Sequence, residues 1–230
     1  VMNFDKLTSP RKSIHQDNLR REDFLVYGVT DRHWLQEGER LPDVVRKALD
    51  GGATFIQLRE KQLGEADFMA EALEIQKLCR EYDVPFVIND NVKIAAEIGA
   101  DGVHVGQSDM EAGNVREILG DKRIIGVSAG TVEEAKQAEA RGADYLGVGA
   151  IFPTNSKDDA RALTMDTLKA ITAAVSIPVV AIGGITEENT LDLAGTGIDG
   201  VAVISAIFGQ KDIETAARRL LTVTKHIVNK

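Results

Sequence analysis

The chain carries a single cysteine, Cys79, so no disulfide can form within it. Cys79 falls in a helical pattern and reads as a buried structural thiol rather than a reactive one. No apolar run approaches the ~20 residues that span a bilayer. The amino-terminal stretch has no apolar core of a secretion signal, which points to a cytoplasmic protein. No Gly-x-Gly-x-x-Gly follows the first β-rich run, and this argues against a dinucleotide-binding sheet. His104 has no second histidine or cysteine at ligand spacing, so a zinc site is not expected. Positive charge is scarce too: 27 Lys and Arg against 36 Asp and Glu leave a formal net charge of −9. That balance disfavours broad binding to nucleic acid or anionic membranes and leaves room for a local basic pocket.

What is present is an ordinary globular composition, 43% hydrophobic and 27% charged over 230 residues, long enough for one α/β barrel. Residues 1–22 are polar and aperiodic and read as an amino-terminal extension. From Phe24 onward short apolar β-rich runs alternate with amphipathic stretches. Strands are expected over 24–29, 54–59, 85–89, 101–105, 123–127, 144–148, 178–182 and 199–204. Helices are expected over 41–50, 65–82, 91–98, 111–119, 131–141, 164–174, 187–194 and 211–228. Eight βα units indicate an α/β fold, a (β/α)8 TIM barrel filling residues 23–230 as one domain behind a short arm. An internal repeat supports closure. A Gly-Ala/Ile-Asp/Thr phrase introduces every even strand, at Gly52-Ala53-Thr54, Gly99-Ala100-Asp101, Gly142-Ala143-Asp144 and Gly197-Ile198-Asp199, each glycine standing just past a helix end.

In such a barrel the chemistry lies where strands run into the loops that follow. After the second strand, alternation aims Gln57, Arg59 and Lys61 to one face, either a strand end with solvated charges or two cations and an amide directed at an anion. After the third comes Asn89-Asp90-Asn91, after the fourth His104-Val105-Gly106-Gln107-Ser108-Asp109. Asp90 and Asp109 are either helix caps or a pair of magnesium ligands beside those cations. Ser128 ends the fifth strand. The long loop after the sixth, with Thr154, Ser156 and Lys157, reads as a lid or as a solvated polar loop. After the seventh and eighth strands, Gly183-Gly184 with Ile204-Ser205 suits a phosphate held by backbone N–H groups. A reaction that joins a diphosphate to a monophosphate would use both of these anion sites, one cationic and one built from backbone.

These residues resemble the thiamine-phosphate synthase family. The resemblance is carried by Val29-Thr30-Asp31, Gln57 to Lys61, Ile88-Asn89-Asp90, His104 to Gln107 with Asp109, Gly126-Val127-Ser128, Pro153-Thr154, Lys157 and Ile182 to Ile185. It implies a transferase that joins hydroxymethylpyrimidine diphosphate to 4-methyl-5-(2-phosphoethyl)thiazole with Mg²⁺, diphosphate leaving before the thiazole nitrogen captures the pyrimidine-methyl cation. It implies that Asp90 and Asp109 hold one magnesium ion, and that Gln57, Arg59, Lys61, Asn89, Gln107, Ser128 and Lys157 bind the substrates. Arg59, Lys61, Ser128 and Lys157 are the catalytic candidates among them. Thr154, Ser156, Gly184, Ile204 and Ser205 would contact the thiazole phosphate. Two positions depart from the family pattern: Gly130 stands where a histidine is usual, and Leu163-Thr164-Met165-Asp166 lacks the usual glycine. The alternatives are a thiazole tautomerase-like relative, which relies on that histidine, and a non-catalytic sensor of a phosphorylated ligand.

Overall fold

The computed structural model describes residues 14–107, 115–153 and 162–228. Eight parallel strands close into a barrel in sequence order: β1 (Val26–Val29), β2 (Phe55–Leu58), β3 (Phe86–Asn89), β4 (Gly102–Val105), β5 (Ile124–Ala129), β6 (Tyr145–Val148), β7 (Val179–Ile182) and β8 (Gly200–Val203). The ring is completed by β1 against β8, with Val26 opposite Val201. Helices α1 (Leu41–Asp50), α2 (Glu65–Glu81), α3 (Val92–Ile98), α4 (Val115–Leu119), α5 (Val132–Ala140), α6 (Met165–Ala174), α7 (Ser205–Phe208) and α8 (Ile213–Val228) follow the strands, with short 3₁₀ turns before β1, before α1 and between β7 and β8. No helix among the described residues is long and apolar enough to cross a membrane.

The helices form where the sequence gives them a start and an apolar stripe. Pro42 opens α1, which buries Leu41, Val44, Val45, Ala48 and Leu49, the spacing of one helical face. Asn91, Thr131 and Thr164 cap α3, α5 and α6 by accepting the N–H of Ile94, Glu134 and Thr167. Cys79 is fully buried on α2, and burial pushes its thiol well above the ordinary value. The stretch 187–194 is a 3₁₀ turn over Asn189–Leu193 rather than an α-helix, and α7 is a further short helix between β8 and α8.

Two apolar layers result. One lies between strands and helices. The other fills the barrel with Phe24, Tyr27, Phe55, Val87, Ile124, Tyr145, Val180 and Ala202, the inward residues that period-two alternation supplies. Ile14 belongs to this inner layer and is 5% exposed. The extension is therefore no loose arm from residue 14 on. Two 3₁₀ turns, Gln16–Asn18 and Arg21–Phe24, run across the amino-terminal ends of the strands. There the Gln16 N–H donates to the Lys122 carbonyl at 3.1 Å and Arg21 pairs with Asp199 at 2.5 Å.

The glycine repeat has a structural meaning. Gly52, Gly99, Gly142 and Gly197 all have positive φ, between 63° and 98°, as a left-handed turn off a helix requires. The residue two places on then clamps a strand pair. The side chains of Thr54, Asp101, Asp144 and Asp199 accept the N–H of Val26, Phe86, Ile125 and Val179, at 2.9, 2.9, 2.7 and 2.9 Å. Their own N–H groups donate back to the carbonyls of the same four residues. Four reciprocal clamps fix β1 to β2, β3 to β4, β5 to β6 and β7 to β8, all at the end remote from the loops that carry the chemistry.

Candidate active site

At the carboxyl ends of the strands a cavity of about 460 Å³ opens, in the range of small-molecule sites. Gln57, Arg59, Asn89, Gln107, Ser128, Gly184, Ile204 and Ser205 all line it. A more open depression beside it is lined by Glu60, Lys61, Asn89, Asp90 and Lys93, with Asn89 common to both. The two regions are contiguous through that asparagine.

Arg59 is held by the loop after β1. Its N–H donates to Thr30 Oγ1 at 3.1 Å and its guanidinium to Asp31 Oδ2 at 3.2 Å. The Arg59 side chain is only 19% exposed, so the charge faces the cavity partly stripped of water, where it acts on an anion more strongly than in solvent. Asp31 also caps the 3₁₀ turn Arg32–Trp34 by accepting the His33 N–H.

Lys61 does not share the inward face with Gln57 and Arg59, as strict alternation requires. β2 ends at Leu58, and Glu60 ends the extended run. One oxygen of Glu60 accepts the N–H groups of Lys61, Gln62 and Leu63 at 2.7, 2.6 and 3.2 Å, while the other takes Arg32 Nε at 2.9 Å. The turn sets Lys61 in the outer depression, exposed and beside Asp90.

Asp90 is not the cap of α3; Asn91 is. Asp90 instead has φ 61°, a left-handed conformation that aspartate adopts more readily than most residues and that Asp83 shares outside the site. Its carboxylate is exposed, and one oxygen accepts the Asn89 amide at 2.8 Å. No group of three ligand side chains forms among the described residues. An oxygen donor with solvent around it suits magnesium, which keeps several waters and takes only one or two carboxylates together with substrate phosphate oxygens. Asp109, the second candidate ligand, and Thr154, Ser156 and Lys157 lie outside the described residues.

The interior carries a polar column whose two tyrosines sequence reasoning missed. Gln57 donates through Nε2 to the Tyr27 hydroxyl at 2.7 Å; the Tyr27 and Tyr145 hydroxyls are 2.6 Å apart. Tyr145 meets His104 Nδ1 at 3.0 Å, and His104 Nε2 meets Ser128 Oγ at 3.0 Å. His104 thus serves as a partner of Ser128. Inward register was the one signal that pointed to the tyrosines, and it does not separate them from core packing. Gln107 reaches over the end of β5, donating to the Ser128 carbonyl at 3.0 Å.

Both departures from the family pattern are accommodated. Gly130 lines the cavity, where an added Cβ would meet only Glu134 Oε2 at 3.5 Å, so the missing histidine leaves space. Leu163 is anchored by its N–H to the Ala150 carbonyl at 2.7 Å, and Thr164 follows as the α6 cap. The Gly183-Gly184 turn packs on the segment after β6, where a Cβ on Gly184 would stand 2.5 Å from the Pro153 carbonyl oxygen.

Residues 26–207 match the family described as thiamine monophosphate synthase. A thiamine-phosphate synthase of Ruminiclostridium cellulolyticum is 50% identical over 201 residues, covering 87% of this chain and 95% of that protein. One of Clostridium tetani is 49% identical over 207 residues, 90% and 97% of the two chains. Among solved structures, thiamine phosphate pyrophosphorylase of Pyrococcus furiosus superposes with a TM-score of 0.82 at 40% identity, covering 90% of this chain and 98% of that one. With matches of this extent, the chain belongs to the thiamine-phosphate synthase family of transferases.

Proposed function

We propose how this barrel divides the labour of thiamine-phosphate synthesis, the activity of its family. Hydroxymethylpyrimidine diphosphate enters with its ring against Gln57 and Ser128 and its diphosphate toward Arg59, Asn89 and Lys61, with Gln107 bracing the end of β5. The bond from the pyrimidine methylene carbon to the diphosphate oxygen breaks, its electron pair leaving with diphosphate. The thiazole nitrogen then donates its lone pair to that carbon. The thiazole phosphate rests near Gly184, Ile204 and Ser205; Thr154 and Ser156 are assigned to the same phosphate and Lys157 to the diphosphate.

Magnesium, held by Asp90 together with Asp109, would supply charge stabilisation on the leaving diphosphate. Arg59 does the same from the cavity side and cannot drift, because Asp31 and Thr30 fix both its side chain and its backbone. The observation that carries the reading is the pairing of a half-buried, braced cation with an uncapping aspartate in left-handed conformation, joined by Asn89. That pairing serves departure of a diphosphate and has no use in thiazole tautomerisation.

The test mixes the two phosphorylated substrates with and without Mg²⁺ and follows thiamine phosphate. Product is expected only with the metal, and Asp90→Ala is expected to lower kcat/KM by about 10²–10³-fold, with circular dichroism unchanged. Absence of product, with tautomerisation of a thiazole carboxylate instead, overturns the reading; near-normal turnover by Asp90→Ala overturns the metal assignment.

A further inference from the structure

The hydrogen-bond column from Gln57 to Ser128 begins and ends at cavity-lining side chains, and its polarity can be worked out. Burial pushes the Tyr27 and Tyr145 phenols far up, so each keeps its hydrogen and has one O–H to give. The Gln57 N–H enters at Tyr27. With the Gln57 amide in this orientation, the Tyr27 hydrogen points to Tyr145 and that of Tyr145 to His104 Nδ1. The imidazole hydrogen is left on Nε2, facing Ser128. The opposite sense would need the Gln57 amide turned over, with Oε1 accepting from Tyr27 and the imidazole hydrogen on Nδ1. The tyrosine positions leave little freedom: Tyr27 stacks on Phe55 with centroids 4.3 Å apart. A Cβ on Gly126 would lie 2.1 Å from Tyr145 Cζ, so only glycine admits that ring.

We infer that Tyr145 and Tyr27 are positioning residues that set the donor–acceptor pattern of the substrate pocket. Acting through His104, Tyr145 makes Ser128 an acceptor from the imidazole and turns the serine O–H toward the cavity as a donor. Acting on Gln57, Tyr27 takes up the amide N–H and turns Oε1 to the cavity as an acceptor. One end of the pocket then calls for a donor and the other for an acceptor, the edge of a heteroaromatic ring with an amino group beside a ring nitrogen. A ring carrying an oxo group in place of the amino group sets oxygen against Gln57 Oε1 and is rejected, since a mispaired buried polar group is costly. The inference rests on the reading that Gln57 and Ser128 hold the pyrimidine.

The test uses Tyr145→Phe, which keeps the ring and removes the hydroxyl, with Tyr27→Phe as the second variant should the first not fold. Long-range ¹H–¹⁵N spectra of the resting enzyme, with the His104 signals identified by their loss in His104→Asn, should show the Nε2–H tautomer in the wild type and a mixture in Tyr145→Phe. Steady-state kinetics should show KM for the aminopyrimidine diphosphate raised about tenfold, KM for the thiazole phosphate unchanged, and discrimination against the 4-oxo analogue narrowed at least tenfold. A wild-type Nδ1–H tautomer, or unchanged discrimination in both tyrosine variants, overturns the inference. The spectra need no substrate, so an enzyme that makes no thiamine phosphate sinks the functional reading while the tautomer is still decided.

Discussion

Glu60 sits between the two cations Arg59 and Lys61, and its chemistry differs from that of Asp90 although both are carboxylates at the barrel mouth. The Glu60 side chain is 1% exposed. Burial alone raises its pKa, but the N–H groups of Gln62 and Leu63 and the Arg32 guanidinium outweigh that and bring it below the ordinary value of 4.5. A lowered carboxylate means that the unfolded chain binds more protons in the window below 4.5, so this contribution to stability is present above that pH and is lost as pH falls through the folded value. Glu60→Gln is therefore expected to be less stable than wild type by about 1–3 kcal/mol at pH 7. The gap should close between pH 5 and pH 3, read from urea midpoints at each pH. The Gln57 to Lys61 stretch was legible in sequence as a polar, cationic run at the mouth of the barrel. Which residues face inward was legible only as far as Arg59, because alternation holds while the backbone is extended and Glu60 ends it.

At the scale of elements, strand and helix order could be read directly, since eight apolar runs between amphipathic stretches leave little choice of topology. The glycine repeat was visible as well, but its purpose was not: a threonine or aspartate two residues after a glycine looks like turn chemistry until the partner strand is in place. Asp199 illustrates the difference. It accepts the Val179 N–H at 2.9 Å inside the β7–β8 clamp and pairs with Arg21 from the amino-terminal segment. Asp199→Ala leaves that N–H buried without its acceptor, a loss of about 1–3 kcal/mol that thermal unfolding should register as a Tm several degrees lower. Because the clamp stands at the end opposite the cavity, kcat and both KM values are expected to stay as they are. A changed KM for either substrate would show that the clamp sets the mouth geometry.

Across the whole molecule, the barrel interior is one column with three tiers. Ile14 and Phe24 lie toward the amino-terminal end, the Tyr27, Phe55 and Tyr145 rings above them, and Gln57, His104 and Ser128 at the cavity. Ile14 and Phe55 occupy the same apolar cluster, yet they should respond differently to truncation. Ile14→Ala removes methyl and methylene groups from a site 5% exposed, a loss of about 2 kcal/mol, at the low end for such changes because an edge site can partly collapse. It makes no hydrogen bond to the polar column. Phe55 stacks on Tyr27, with ring planes 13° apart, and lies 5.5 Å from the Tyr145 ring. Phe55→Leu frees both rings and with them the hydroxyls that order Gln57 and His104. Ile14→Ala is expected to lower the urea midpoint and leave KM for the pyrimidine diphosphate unchanged; Phe55→Leu is expected to lower the midpoint and raise that KM several-fold. If both variants lost only stability, the aromatic tier would be packing alone, and the ordering of the pocket would have to come from the strand ends themselves.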